Sequence, residues 1–226
     1  MRLQAEHVSR TYFRDSRGAN FFYAVKEADL VLAPGQLIEI TGRSGSGKST
    51  LLNMLAGLLE PSEGRILVDD IDLYAMSDDE RSRLRNLSFG IIPQGQTGLH
   101  SLTVLENVQL PSMLYEGAVC PEEKALALLE RVGIADLAAA YPNELSGGEM
   151  RRLSIARALV MDPGIILADE PTGDLDDENT KAVLQLLRSC ADEGKAVLLV
   201  THETAAAAYA DRIYRMDGGT LTEEQK

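Results

Sequence analysis

Gln36-Leu37-Ile38-Glu39-Ile40-Thr41 runs directly into Gly42-Arg43-Ser44-Gly45-Ser46-Gly47-Lys48-Ser49 and on into Thr50-Leu51-Leu52-Asn53-Met54-Leu55. The first segment follows the Pro34-Gly35 turn and has the length and bounds of a strand. The last repeats apolar residues at Leu51, Leu52, Leu55 and Leu58 or Leu59, with Pro61 soon after, so a helix leaves the loop and stops near residues 57–60. The middle segment fits G-x-x-x-x-G-K-[ST] without mismatch. Glycines at 42, 45 and 47 let successive backbone N–H groups curve around phosphates, and the helix N-terminus adds positive potential. Lys48 then reaches the β and γ phosphates and the Ser49 hydroxyl ligates Mg²⁺. A glycine-serine turn with a chance lysine is a poor account of eight fitting positions between a strand and a helix. Gly42, Arg43, Ser44, Gly45, Ser46, Gly47, Lys48, Ser49 and Thr50 are the expected ATP-binding residues.

Far along the chain, Ile165-Ile166-Leu167-Ala168 is the continuous apolar run expected of a strand buried on both faces of a parallel sheet. It delivers Asp169 opposite the loop serine, where a carboxylate can hold the metal. Glu170, one residue beyond, diverges in direction and can polarise a water at the γ-phosphate as general base. Many strand ends are acidic, so the pair gains its weight from its register with the glycine loop. Leu145-Ser146-Gly147-Gly148-Glu149 supplies a different device. Ser146 with Glu149 three residues later is a capping-box pattern, and Gly147 and Gly148 leave the first N–H groups of the helix uncovered. That makes an anion seat with no phosphate of its own chain nearby, which points to a second copy's ATP. Helix capping and anion binding are compatible readings of the same residues.

The chain of 226 residues suits one unit with two lobes. Apolar residues make up 45% and charged residues 25%, and no stretch approaches the ~20 consecutive apolar residues of a membrane span. The first residues lack the apolar core and cleavage site of a secretory signal, so a cytosolic location is expected. Cys120 and Cys190 lie outside any metal-ligand spacing and read as packing thiols. The net charge of −13 disfavours nucleic acid as a partner, and Arg81-Ser82-Arg83-Leu84-Arg85 reads as the cationic end of a helix begun by Asp78-Asp79-Glu80.

Arg65 to Leu73 reads as a strand pair turned around Asp69-Asp70, and Leu87 to Ile92 as a strand delivering Gln94. From about 95 to 162 helical patterns dominate: Val104 to Tyr115, Glu122 to Val132, Ile134 to Ala140 and Gly147 to Met161. Loops are expected at Pro111, Gly117 and Tyr141-Pro142-Asn143, and earlier at Gly18-Ala19-Asn20. Helices over about Glu178 to Glu193 and Ala205 to Asp211 flank a buried strand, Ala196 to Val200. A hairpin around Asp217-Gly218-Gly219 closes the chain.

Together these segments resemble the ATP-binding subunit of an ABC transporter across practically the whole chain. The match comprises the P-loop at 42–49, Q-loop Gln94, signature 145–149, Walker B at 165–170, D-loop Gly173-Asp174-Leu175-Asp176 and switch histidine His202. Leu102-Thr103-Val104-Leu105-Glu106-Asn107-Val108 and Leu167 to Gly173 look most like the branch serving lipoprotein release, macrolide efflux and cell division. The resemblance implies an α/β P-loop ATPase core with a mostly parallel sheet, an N-terminal antiparallel β subdomain and an inserted helical subdomain. The core would span about 1–94 and 163–226, the helical part about 95–162. It implies that Tyr12 stacks on adenine, with Phe13 as the alternative, that Gln94 touches Mg²⁺ beside Ser49 and Asp169, and that His202 contacts the γ-phosphate. Ser146, Gly147, Gly148, Glu149 and Asp174 would meet ATP held by the opposite subunit. Lys48, Gln94, Glu170 and His202 would form the catalytic set. The implied partners are a second copy and a transmembrane permease, which would hold the protein on the inner face of the membrane. Two departures stand out: the approach to Gln94 carries Pro93 rather than an aromatic-rich run, and Asp174 stands where asparagine is frequent in this branch. The rival readings are an ABC-type ATPase not coupled to transport, without the coiled coil or second cassette usual there, and a non-catalytic regulatory module, which intact Lys48, Asp169, Glu170 and His202 oppose.

Overall fold

β1 (Leu3–Phe13) and β2 (Phe21–Leu32) alternate buried and open positions, so Leu3, Ala5, Val25, Ala28, Leu30 and Leu32 share one inward face. In the computed structural model, which describes residues 1–13, 21–95, 97–114, 120–173 and 175–224, they pair antiparallel. The expected turn at Gly18-Ala19-Asn20 lies outside the described residues. β4 (Glu63–Val68) joins β1 from the other side, and β5 (Ile71–Asp72) completes a four-stranded antiparallel sheet in the order β2-β1-β4-β5. The β4–β5 hairpin turns at Asp69 and Asp70, with φ of 45° and 69°, a conformation that aspartate tolerates better than most side chains.

The second sheet has the order β10-β9-β3-β8-β7-β6. β3 (Leu37–Thr41), β6 (Phe89–Ile92), β7 (Ile165–Asp169), β8 (Ala196–Val200) and β9 (Arg212–Asp217) run parallel, and β10 (Thr220–Glu224) folds back antiparallel on β9. β7 and β8 are buried at every residue, as their unbroken apolar sequences require of strands covered on both faces. One face is covered by α1 (Lys48–Leu55), which touches both sheets and buries Leu51, Leu52, Met54 and Leu55 between them. The other carries α6 (Asp177–Asp192), with Val183, Leu184, Leu187 and the free thiol of Cys190 inward, and α5 (Gly147–Leu159).

α3 (Val104–Met113), α4 (Glu122–Arg131) and α5 pack on one another through Val104, Val108, Ala125, Leu129, Met150 and Leu153. Several boundaries differ from the sequence reading. α1 stops at Leu55, because Gly57 turns the chain with φ 68° and leaves Leu58 exposed. α2 (Asp78–Ser88), opened by a Ser77–Glu80 capping box, takes Leu87 and Ser88 from the expected strand. Pro111 lies inside α3 rather than in a loop: it stands two residues before the end, so the helical hydrogen bond it cannot make is lost where the helix terminates anyway, and Asn86 Nδ2 donates to its carbonyl at 3.1 Å. Tyr115, the expected end of that helix, and Gly117 lie outside the described residues. The helices expected at 134–140 and 205–211 reduce to 3₁₀ turns at Ala135–Leu137 and Thr204–Ala208, segments too short to offset helix nucleation.

One side chain contradicts its surroundings. Glu39, in the middle of β3, is wholly buried, and neither carboxylate oxygen has a hydrogen-bond partner. Burial, with a smaller contribution from the nearby Glu224 charge, pushes its pKa up to about 7. The folded chain thus prefers the protonated acid, a preference complete below the ordinary value of 4.5 and lost as pH rises towards 7. Glu39→Gln is therefore expected to stabilise the protein at pH 8 by roughly 2–3 kcal/mol in denaturant titration. That gain should shrink towards zero as pH falls from 7 to below 5.

Candidate active site

The loop between β3 and α1 is shaped by what stands behind it. A Cβ on Gly42 would collide with the Met216 carbonyl of β9, and one on Gly47 with the Ala24 carbonyl of β2. Gly47 also adopts φ 108° as the N-cap of α1 and Gly45 adopts φ 77°, a region that favours glycine. The glycine turn of the β9–β10 hairpin locks the arrangement: Gly219 N–H donates to the Ser46 carbonyl at 2.9 Å, and Lys26 N–H donates to the Gly219 carbonyl at 2.8 Å. Lys48 is buried and its Nζ donates to the carbonyls of Gly42 at 2.7 Å and Arg43 at 3.1 Å. The ammonium is thereby folded against the loop. The Ser46 hydroxyl is buried without a partner.

Three parallel strands end beside this loop. β7 delivers Asp169, almost fully buried, with Oδ1 unpartnered. Its carboxyl is pushed above the usual range chiefly by burial and also by the neighbouring Glu170, against opposing contributions from the Ser49 hydroxyl, Lys48 and Arg151. A buried carboxylate with a free oxygen beside a serine hydroxyl is a donor set that suits a hard divalent cation. Glu170 turns away with φ 47°, its N–H donating to the Val200 carbonyl at 2.8 Å. His202, just past β8, brings Nδ1 to 2.9 Å from Glu170 Oε2, and this contact raises the histidine pKa. The imidazole is mostly exposed while the glutamate is nearly buried, so the pair spans the wall of the site.

These groups share one cavity of about 1080 Å³. Gly42, Arg43, Ser44, Gly45, Gly47, Lys48, Ser49, Thr50, Gln94, Asp169, Glu170 and His202 all line it, as does Tyr12. Ser46 alone of the expected loop residues does not. The Tyr12 ring lies 5.8 Å from that of Phe22 at 27°, with the Arg10 guanidinium 5.0 Å from its centroid. Phe13, the alternative aromatic, is 70% exposed and does not face the cavity. Sequence reasoning missed Phe22, Tyr23, Ala24, Gly218 and Gly219, which complete the wall. The run Phe21-Phe22-Tyr23, in a chain with only 5% aromatic residues, was the available signal.

Ser146, Gly147, Gly148 and Glu149 are not on that wall. Ser146 caps α5, its hydroxyl donating to Glu149 Oε2 at 2.7 Å and its N–H to the same oxygen at 2.7 Å. These bonds hold the Glu149 pKa below the usual carboxylate value. A Cβ on Gly148 would stand 3.4 Å from the Leu175 side chain, so the signature and the segment after Walker B touch within one chain. Asp174 lies outside the described residues.

A phosphate-shaped loop, a cation-ready carboxylate and a glutamate steadied by histidine on one cavity define the class of P-loop ATPases. The sequence profile of the family described as "ABC transporter" matches residues 25–173. The lipoprotein-releasing system ATP-binding protein LolD of Pseudomonas syringae pv. tomato is 41% identical over 98% of this chain and 97% of its own. The macrolide export ATP-binding/permease protein MacB of Shewanella sp. is 38% identical over 97% of this chain but only 34% of its own length. A solved dimeric structure of the ATP-binding cassette MJ0796 of Methanocaldococcus jannaschii, in a post-hydrolysis state bound to ADP and Pi, superposes with a TM-score of 0.92. It is 36% identical and covers 99% of this chain and 98% of that one. The chain belongs to the ABC transporter family, and it is an ATP-hydrolysing cassette. An ATPase unconnected with transporters, or a non-catalytic module, is not favoured.

The two clamped glycines differ from the third in a testable way. Gly47→Ala adds a collision with fixed backbone to the cost of positive φ, whereas Gly45→Ala has open space around its Cβ. The first is expected to destabilise by roughly 2–5 kcal/mol and the second by about 1–2 kcal/mol, measured by urea unfolding. Calorimetric titration with ATP should show binding abolished only in Gly47→Ala.

Proposed function

We propose that two copies of this chain close face to face with two ATP molecules between them, each held by the P-loop of one copy and the signature of the other. The observation that carries this reading is the separation of two anion-ready surfaces on one chain: the cavity around Lys48 and the seat at Ser146–Gly148, which forms no part of that cavity. One polypeptide surrounds its triphosphate on one side only, and a two-fold pairing brings the missing half from the neighbour.

Within each site Tyr12 stacks on the adenine, the N–H groups of 42–49 and Lys48 hold the phosphates, and Ser49, Asp169 and Gln94 would hold Mg²⁺. When bound, the ion would offset negative charge on the triphosphate. Glu170 accepts a proton from a water whose oxygen attacks the γ-phosphorus, while the bond from that phosphorus to the bridging oxygen of ADP breaks. His202 steadies the Glu170 carboxylate through Nδ1 and contacts the γ-phosphate. Ser146, Gly147, Gly148 and Glu149, with Asp174, complete the partner's side. Hydrolysis removes the γ-phosphate that joins the halves, and the pair reopens.

Among the described residues no helix is long and apolar enough to cross a membrane. The motion is passed to a separate transmembrane permease, which holds the chain on the cytoplasmic face of the membrane, a reading supported by the likeness over nearly the whole of both chains to the ATP-binding protein LolD. The permease docks in the cleft near Gln94 to Thr103, between the segment at about 95–162 and the core formed by about 1–94 and 163–226. The likeness to LolD and MacB supports a branch that exports or transmits force.

Glu170→Gln keeps the shape of the site and removes the base. At saturating Mg-ATP it should form a long-lived dimer in light scattering, with phosphate release reduced about 10²–10⁴-fold. A variant that stays monomeric, or that turns over normally, would overturn the scheme.

A further inference from the structure

Gln94 sits between two residues of opposite backbone character. Pro93 has a fixed φ and no N–H to anchor, and Gly95 adopts φ 90° with open space where its Cβ would be. Pro93 stiffens one side of Gln94 while Gly95 leaves the other side free to turn, and the carbonyls of both flanking residues are held. Arg151, on α5 and only 5% exposed, donates from Nη1 to the Pro93 carbonyl at 3.0 Å and to the Gly95 carbonyl at 3.2 Å. One guanidinium thus grips the backbone on both sides of Gln94.

The grip continues along the same helix face. Ser154 Oγ lies 3.3 Å from Thr97 Oγ1. Arg157 donates to the Thr97 carbonyl at 2.7 Å and to its hydroxyl at 2.6 Å. Residues 151, 154 and 157 recur every three positions and so form one stripe on α5. Arg151 is buried and Arg157 half-buried, with the Arg157 pKa lowered by that burial, and such desolvation is costly unless the hydrogen bonds made in exchange offset it.

From this we infer that Arg151 is a positioning residue for ATP hydrolysis: it fixes the backbone at Gln94 so that the glutamine amide reaches the nucleotide from a set direction. It links that direction to α5, the helix whose first turn is the Ser146 seat. Arg151 does not line the cavity itself. Both bonds come from one nitrogen, Nη1, and a lysine ammonium ends about one bond short of that position, so it replaces the charge but not the reach.

The inference rests on the proposed placement of Gln94 at the nucleotide, and the test separates the two. Arg151→Ala, Arg151→Lys, Gln94→Ala and the double variant Gln94→Ala/Arg151→Ala are compared in the full-length chain. Arg151→Ala is expected to lower kcat about tenfold with the KM for ATP changed less than threefold, and to raise the Mg²⁺ concentration for half-maximal rate. Arg151→Lys should fall between it and the parent. The double variant should be no slower than Gln94→Ala, because the two residues act as a unit. Without nucleotide, amide hydrogen exchange at Gln94 and Gly95 should speed up at least tenfold in Arg151→Ala, while exchange in β7 and β8 stays unchanged. If Arg151→Ala does not fold, Arg151→Lys carries the same comparison. Multiplying effects in the double variant, or unchanged exchange at Gln94 with full kcat, would overturn the inference. A Gln94→Ala variant with normal kcat would remove Gln94 from the site and the inference with it.

Discussion

The structure depends on one steric constraint: the anion loop has no room for side chains at the two points where the two sheets press on it. Met216, from the parallel sheet, and Ala24, from the antiparallel sheet, aim carbonyls at Gly42 and Gly47. The loop is thus the seam between the two sheets as well as a ligand cradle, and α1 begins from that seam with its apolar face between both layers. The Gly218–Gly219 turn adds hydrogen bonds from the far end of the chain. Loop shape is fixed by residues nearly 200 positions apart, and the binding surface is built before any nucleotide arrives. Such preorganisation lowers the ordering cost of binding.

Charge follows the same logic. The site concentrates groups that folding alone would disfavour: a buried lysine, Asp169 with a raised pKa, and Glu170 held at positive φ. Each is tolerable because a neighbour compensates in part: loop carbonyls for Lys48, the Ser49 hydroxyl for Asp169, and His202 for Glu170. Strain and incomplete pairing gathered in one place are the mark of a working site. Glu39 is the contrast, a buried acid away from the nucleotide cavity with no such partner.

Much of this was legible in the sequence because local rules and global fold agreed. The short unbroken apolar runs of β7 and β8 suit strands covered on both faces, and the glycine loop with Lys48 and Ser49 fixes both a turn and a chemistry. The Ser146–Glu149 capping box was readable from four residues and stands as expected. What escaped were features set by distant contacts. Pro111 reads as a breaker, yet a helix C-terminal turn held by Asn86 accommodates it. The alanines at 205–208 have high helix propensity but too few residues to form more than a 3₁₀ turn. Phe22, Ala24 and Gly219 join the cavity because β2 and the β9–β10 turn meet there, a proximity that no spacing encodes. The roles of Arg151 and Arg157 are set by the packing of α5 on the segment after β6, which no sequence spacing encodes.

Ser146 has one hydroxyl proton, and in the free chain that proton is already committed to Glu149. For the serine to donate to an incoming phosphate oxygen, it must first let go of the carboxylate. In the proposed pairing, docking would exchange one hydrogen bond for another, with a small net gain at this contact. A clasp of this kind closes without becoming permanent, which is the behaviour a cyclic machine requires.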